Sequence, residues 1–173
     1  IFPFVIAMCL AEVFGMLSFS TFQALIPTFA ADWNLSNTEA GWIGGIYFAG
    51  YVGAVPVLSS LTDRIDPKKI ILVSLAIGGG ASLAYAFFAE GFWTALLFRA
   101  LQGVGLAGTY MPGLKALSDR IEGPSQSRYV SFYTASFGIG AALSYVFAGA
   151  ITPDFGWGWA FGVNALGAAL AAM

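Results

Sequence analysis

Hydrophobic residues form six long stretches along the 173-residue chain, and short polar segments separate them. The apolar stretches cover residues 1–30, 39–61, 69–89, 92–117, 128–151 and 157–173. Each is close to the roughly 20 residues that a helix needs to cross a bilayer. They lack the alternation of membrane-barrel strands, which are also about half as long. The pattern predicts an all-α membrane protein with six transmembrane helices.

The polar segments carry residues that begin helices. Ser36 is followed three positions later by Glu39, the spacing of a capping box, so the second helix is expected to start there. Pro67 suits the first turn of the third helix, where a missing backbone N–H costs nothing.

Composition indicates that lipid is the solvent. Only 9% of the residues are charged and 58% are hydrophobic, whereas a soluble domain has roughly 25% charged residues. The net charge of −2 gives no basic surface for nucleic acid. The chain has no histidine, which excludes Ser–His and Cys–His nucleophile pairs and an HExxH metal site. We therefore expect neither an enzyme nor a metal or cofactor site, and we take the bilayer as a partner.

All but one of the lysines and arginines lie in or beside alternate polar segments. The second and fourth segments, with their flanks, hold six of the seven: Arg64, Lys68, Lys69, Lys115, Arg120 and Arg128. The positive-inside rule places both segments in the cytoplasm, together with the N-terminus. The chain is expected to be a multi-pass protein of a cell membrane, with a bacterial inner membrane favoured.

Small residues recur at four-residue spacing on three helices. The second helix carries Gly41, Gly45, Ala49 and Gly53, the third carries Ser74, Gly78 and Ser82, and the sixth carries Gly158 and Gly162. Such faces mark close helix contacts in membranes. The alternative for the second helix is a face that moves against a partner domain.

Arg99 is the first candidate site residue. It lies roughly 13 Å along the fourth helix from Glu90, and an arginine at such depth usually faces a cavity or a partner. Gln102 and Tyr110 fall near the same face. Arg99 is interpreted as a ligand for an anionic substrate or as a group that tunes a proton-carrying acid. The alternative is a structural tie to a backbone carbonyl.

Glu12 is the acid that falls inside a predicted span, and Gln23 returns to nearly the same helix face. Glu12 is interpreted as a proton carrier, since burial favours its neutral form, or as half of a fixed ion pair. Helix geometry argues against direct contact with Arg99. A water-linked relay, or a pair with Lys115, is expected instead. Tyr133 in the fifth helix is available to hydrogen-bond a substrate.

Two segments resemble motifs of the major facilitator superfamily. Residues 59–69, SSLTDRIDPKK, are similar to that family's loop G-x-L-a-D-R-x-G-R-(R/K), with matches at Leu61, Asp63, Arg64 and Lys68. Ser59 and Asp66 replace the two glycines, and Pro67 replaces the first basic residue. The fourth helix is similar to the family's R-x-x-Q-G-x-G, with matches at Arg99, Gln102, Gly103 and Gly105.

The resemblance implies a fold of twelve helices in two halves, each built from two inverted three-helix repeats. Residues 1–173 would be the N-terminal six-helix half, a fragment whose partner is the absent C-terminal half. Helices one, two, four and five would line a central cavity. Asp63, Arg64 and Lys68 would form a gating loop, with a solvated turn as the alternative.

The expected function is secondary active transport of a small solute by alternating access. Proton-coupled uptake of a small organic anion or metabolite is favoured, on the strength of Arg99. One alternative is a non-transporting membrane scaffold or regulatory half-transporter. Another is proton-coupled drug efflux, which the fifth helix disfavours because residues 136–142, SFGIGAA, lack the Gly-Pro pair of those antiporters.

Overall fold

Helices account for most of the computed structural model, which describes residues 2–173, and no strand occurs among them. The predicted start of the first helix at Ile1 lies outside the described residues. The elements are α1 (Phe2–Gly15), a 3-10 turn (Met16–Ser18), α2 (Thr21–Ala24), α3 (Ile26–Asp32), α4 (Asn37–Leu61), α5 (Pro67–Phe88), α6 (Phe92–Arg120), α7 (Gln126–Phe155) and α8 (Trp157–Ala171). The all-helical class is confirmed.

The prediction of one continuous first helix is wrong. The stretch divides into α1, the 3-10 turn, α2 and α3, with interruptions after Ser18 and at Leu25. Pro27, in the first turn of α3, cannot donate a helical hydrogen bond. A broken helix is tolerated in an apolar bundle only where other groups satisfy its freed backbone atoms.

Three helices are long and apolar enough to cross a membrane as single elements: α4, α5 and α7. The first predicted span is divided, α8 has 15 residues, and α6 carries charged residues at several positions. The other three spans and the repeat layout stay predictions.

Side chains of the preceding residues cap the N-termini of α4 and α5. The predicted capping box is confirmed, because Ser36 N donates to Glu39 Oε2 at 2.9 Å and Glu39 N donates to Ser36 Oγ at 3.2 Å. Asp66, noted from the sequence only as a departure from a glycine, caps α5 by accepting from Lys68 N at 2.9 Å. Asp66 therefore supplies an N-cap side chain, which the glycine of the family motif at this position would lack.

The glycines of the fourth-helix motif let α6 approach two neighbours. A Cβ on Gly105 would lie 2.7 Å from Gly78 Cα in α5. A Cβ on Gly103 would overlap the carbonyl oxygen of Tyr47 in α4. The small-residue face of the third helix is thus a helix contact, as predicted.

The small-residue face of α4 contacts nothing within this bundle. A Cβ on Gly41, Gly45 or Gly53 would have no neighbour within 4 Å among the described residues. This face is therefore exposed, whereas the opposite face buries Ile43 and Tyr47.

An aromatic cluster closes the end of the bundle that contains α3. Tyr85 stacks on Phe161 at 4.0 Å between ring centroids, and Phe29 stacks on Trp33 at 4.5 Å. The Phe29 ring of α3 also lies 5.8 Å from that of Tyr85 in α5 and 5.2 Å from that of Trp157 in α8, and these contacts hold α3 against both helices despite the breaks before it.

Candidate functional site

Arg99 lies inside the bundle and holds the broken part of the first helix. Its side chain is 0% exposed. Nη1 donates to the carbonyl oxygen of Ser18 at 3.3 Å, and Nη2 donates to that of Phe19 at 3.3 Å. These carbonyls lie where the 3-10 turn ends, so Arg99 satisfies acceptors that a continuous helix would have bonded itself.

Neutral groups surround the Arg99 charge. Nη1 also donates to Gln102 Oε1 at 2.8 Å and Nη2 to Gln23 Oε1 at 3.4 Å. The guanidinium lies 4.4 Å from the ring centroid of Tyr47 and 5.6 Å from that of Phe22. Neither ion pair found among residues 2–173 includes Arg99. Carbonyl dipoles and aromatic faces thus replace a counter-ion.

Gln102 extends this cluster towards α5. Its Nε2 donates to Ser82 Oγ at 3.2 Å. Beside it lies a void of about 20 Å³, lined by Ser18, Thr109 and Asn164 among others. Such a volume, with polar walls, suits one buried water.

Two further helices, α7 and α8, support the break. Ser144 Oγ in α7 accepts from Ser20 N at 3.0 Å. Asn164 in α8 donates to Thr21 Oγ1. Asn164 was not singled out from the sequence, although an amide in the apolar stretch 157–173 was a signal.

Glu12, in the last turn of α1, belongs to a separate cluster. Its side chain is 5% exposed, and Tyr133 donates its hydroxyl to Glu12 Oε2 at 2.9 Å. The Tyr110 ring stacks on Tyr133 with 5.7 Å between centroids. The second oxygen, Oε1, has no hydrogen-bond partner among residues 2–173. An acid with a free oxygen can take a proton or accept a hydrogen bond.

A cavity of about 600 Å³ borders Glu12 and Tyr133. Its walls come mainly from α1, α5, α6 and the end of α8. The resemblance implied a cavity lined by helices one, two, four and five, so this cavity lies within the bundle and is a different space. Arg99 lines neither of the two cavities described here.

The predicted pair between Glu12 and Lys115 is wrong. Lys115 Nζ lies 3.7 Å from Asp63 Oδ1 and 3.4 Å from Asp119 Oδ2. Lys115 lies near the end of the fourth apolar stretch, where water-exposed acids compete for it at little desolvation cost. Asp63 of the predicted gating loop pairs with Lys115, while Arg64 and Lys68 of that loop are exposed.

The six predicted pathway residues therefore fall into two groups. Arg99, Gln102 and Gln23 meet at the break in the first helix. Glu12, Tyr133 and Tyr110 meet beside the larger cavity. The expectation that Glu12 and Gln23 share one helix face fails because the helix between them is interrupted.

Residues 8–173 match the family model of the Major Facilitator Superfamily. The chain is 28% identical over 157 residues to the niacin transporter NiaP of Acinetobacter baylyi. It is 30% identical over 139 residues to a probable sphingolipid transporter, spinster homolog 1, of Arabidopsis thaliana. These matches cover 91% and 80% of this chain but 36% and 28% of the relatives' lengths.

Solved transporters share the fold. A bacterial homologue of the human lysosomal transporter Spinster, inward-facing and unoccupied, superposes with a TM-score of 0.84, covering 98% of this chain and 41% of that one at 18% identity. The proton:xylose symporter XylE gives a TM-score of 0.80, covering 99% and 44% at 17% identity. These relatives are transporters and not enzymes.

Proposed function

Because the chain belongs to the Major Facilitator Superfamily, we propose that this protein is a secondary active transporter. It moves a small solute across a cell membrane by alternating access, and proton movement through Glu12 drives it. The described bundle works with a second six-helix half. Six spans, a cytoplasmic N-terminus and residence in a bacterial inner membrane belong to this proposal, supported by the basic residues of two polar segments.

One observation carries the proton-coupled mechanism. Glu12 is an acid, 5% exposed, whose Oε1 has no protein partner among the described residues and which borders a large cavity. An ionisable group is costly in an apolar bundle, so it marks a proton or substrate pathway. The Tyr133 hydroxyl stabilises one oxygen and leaves the other for a proton.

Arg99 has a structural role beside the pathway and does not bind an anionic substrate. Its terminal nitrogens already donate to two carbonyls and two glutamines. The preference for an anionic substrate depended on Arg99 as its ligand, so that preference no longer has support. We assign Arg99 the role of holding the break in the first helix, beside the pathway. The relatives named for niacin and sphingolipid show how widely the solute varies.

The polar segment between α4 and α5 is proposed as the gating loop. Asp63, Arg64 and Lys68 are exposed there, and Lys115 is the one described partner of Asp63. Exposed pairs of this kind are weak. They can therefore break and form as the two halves move.

The test is uptake by the full-length protein in proteoliposomes, with the solute identified first by a screen. We expect Glu12→Gln to reduce uptake driven by a pH gradient at least about tenfold, because an amide cannot carry the proton. Glu90→Gln, which removes an exposed acid, is the control and is expected to keep wild-type uptake. Undiminished pH-driven uptake by Glu12→Gln would exclude the proton role.

A further inference from the structure

We propose that the cavity beside Glu12 binds an organic ammonium ion that carries an apolar body. The inference rests on the proposed transport function and specifies the chemical class of ligand that this cavity takes.

Glu12 lines the cavity, and its Oε1 is buried without a hydrogen-bond donor among the described residues, so this carboxyl sets the chemistry of that wall. Tyr133 already donates to Oε2 at 2.9 Å, so Oε1 is the acceptor without a protein donor. An ammonium group supplies N–H donors and a positive charge together, and charge-assisted hydrogen bonds are roughly twice as strong as neutral ones. A carboxylate ligand would meet a like charge there instead.

The walls suit an apolar body. Phe4 and Met8 of α1 and Ile71 and Leu72 of α5 line the cavity. At about 600 Å³ the cavity lies within the usual size of small-molecule sites. Such sites combine mostly hydrophobic walls with a few polar groups that orient the ligand.

The charged side chains at the rim of the cavity cancel one another, so Glu12 determines the net charge of the side chains that line it. Asp66 and Asp119 are matched by Lys68 and Arg120, so the four formal charges of the exposed rim cancel. Arg120 lies over the Phe4 ring at 4.7 Å from its centroid, which holds that cation at the opening. Arg99, the buried cation that could attract an anion, lies outside the lining.

Three probes with the same phenethyl body separate the alternatives: phenethylamine, phenethyl alcohol and hydrocinnamate. Binding to the purified full-length protein is measured by titration calorimetry. We expect the amine to bind about tenfold tighter than the alcohol and the acid, from one charged hydrogen bond. Tighter binding of hydrocinnamate would overturn the proposal.

Variants locate the interaction. Glu12→Gln should bring the amine and the alcohol to within about threefold of each other, while Glu90→Gln keeps the preference. An amine preference that survives in Glu12→Gln overturns the proposal.

A measurement on the wild-type protein covers the case in which Glu12→Gln does not fold. Dicyclohexylcarbodiimide modifies carboxyl groups in apolar surroundings, and mass spectrometry reports the modification of Glu12. Phenethylamine should slow this modification severalfold and phenethyl alcohol should not. Equal protection by both would refute the ammonium site.

The outcomes separate this inference from the transport function. Glu12-dependent, pH-driven uptake without amine binding would refute the inference and leave transport standing. Amine binding at Glu12 without movement of any solute would support the site and refute the transport proposal.

Discussion

At the scale of single residues, the buried side chains of Arg99 and Glu12 differ in how many hydrogen-bond partners offset the cost of their burial. Arg99 is surrounded by carbonyl oxygens, amide oxygens and aromatic rings. Glu12 has one donor, Tyr133, and an oxygen without one. The terminal nitrogens of Arg99 are engaged, and its Nε alone has no partner among the described residues. Arg99 therefore has mainly a structural use, whereas half of the Glu12 carboxyl is left for chemistry.

Arg99→Ala is expected to destabilise the protein by about 3 kcal/mol or more, since it leaves the carbonyls of Ser18 and Phe19 without their donors. Thermal unfolding of the purified protein in detergent measures the change. Arg128→Ala removes an exposed arginine and should stay within about 0.5 kcal/mol. An unchanged midpoint for Arg99→Ala would show that these carbonyls find other donors.

At the scale of elements, the broken first helix depends on three partner helices. Arg99 of α6, Ser144 of α7 and Asn164 of α8 each bond a group at the break. α6 itself packs closely on α4 and α5 through glycines of its motif. The motif R-x-x-Q-G-x-G thus places polar side chains at the break and small residues at the helix contacts.

Gly105→Ala is expected to cost about 1–3 kcal/mol, because its Cβ would lie 2.7 Å from Gly78 Cα and the two backbones must separate. Gly80→Ala is the matched control on α5, where a Cβ meets nothing within 4 Å. It should be neutral or stabilising by up to about 1 kcal/mol, from helix propensity. Detergent melting curves compare the two variants, and equal midpoints would contradict the tight contact.

At the scale of the whole molecule, the bundle leaves one small-residue face open. Gly41, Gly45 and Gly53 of α4 have no neighbour within 4 Å of a built Cβ among residues 2–173. Small residues at this spacing are typical of helix contacts in membranes. We therefore expect α4 to pack against the second half during transport.

Gly45→Leu tests that contact in the full-length protein. Uptake should fall on the order of tenfold because the added side chain keeps the halves apart. Gly80→Leu, at an equally open position on α5, should leave uptake near the wild-type level. If both variants transport normally, the α4 face meets lipid.

Orientation in the membrane is testable because the chain has one cysteine, Cys9. In a cysteine-free background of the full-length protein that includes Cys9→Ala, single cysteines at Ser60 and Ser127 should be labelled from one side of the membrane, and one at Glu90 from the other. An impermeant maleimide applied to intact cells reports the side. Labelling of positions 60 and 127 from opposite sides would overturn the six-span arrangement.

Local patterns explain what was predictable. Residues three positions apart form the capping box of Ser36 and Glu39, and apolar length alone indicated α4, α5 and α7. Both the capping box and the apolar length are properties of a single helix, so each can be recognised from neighbouring residues alone. Asp66 belongs to the same class and was missed because a proline at the next position drew the interpretation.

The break in the first helix was predictable from its own residues only at Leu25, where Pro27 marks the start of α3, and not after Ser18. Residues 1–30 read as one apolar helix, and the groups that stabilise the interruption come from Arg99, Ser144 and Asn164. The Arg99 contact joins positions 81 apart in the chain. Hydropathy averages a window and carries no information about which distant side chain will meet a carbonyl.

The sequence by itself determined the helical class, the apolar environment, the family and the starts of two helices, because those depend on composition, short spacing and motifs. Only the tertiary structure decided that Arg99 bonds the chain's own backbone while Glu12, bonded by Tyr133 from 121 positions away, keeps a free oxygen beside a cavity. The physical reason is that burial and hydrogen-bond satisfaction belong to the packed bundle and not to the residue type.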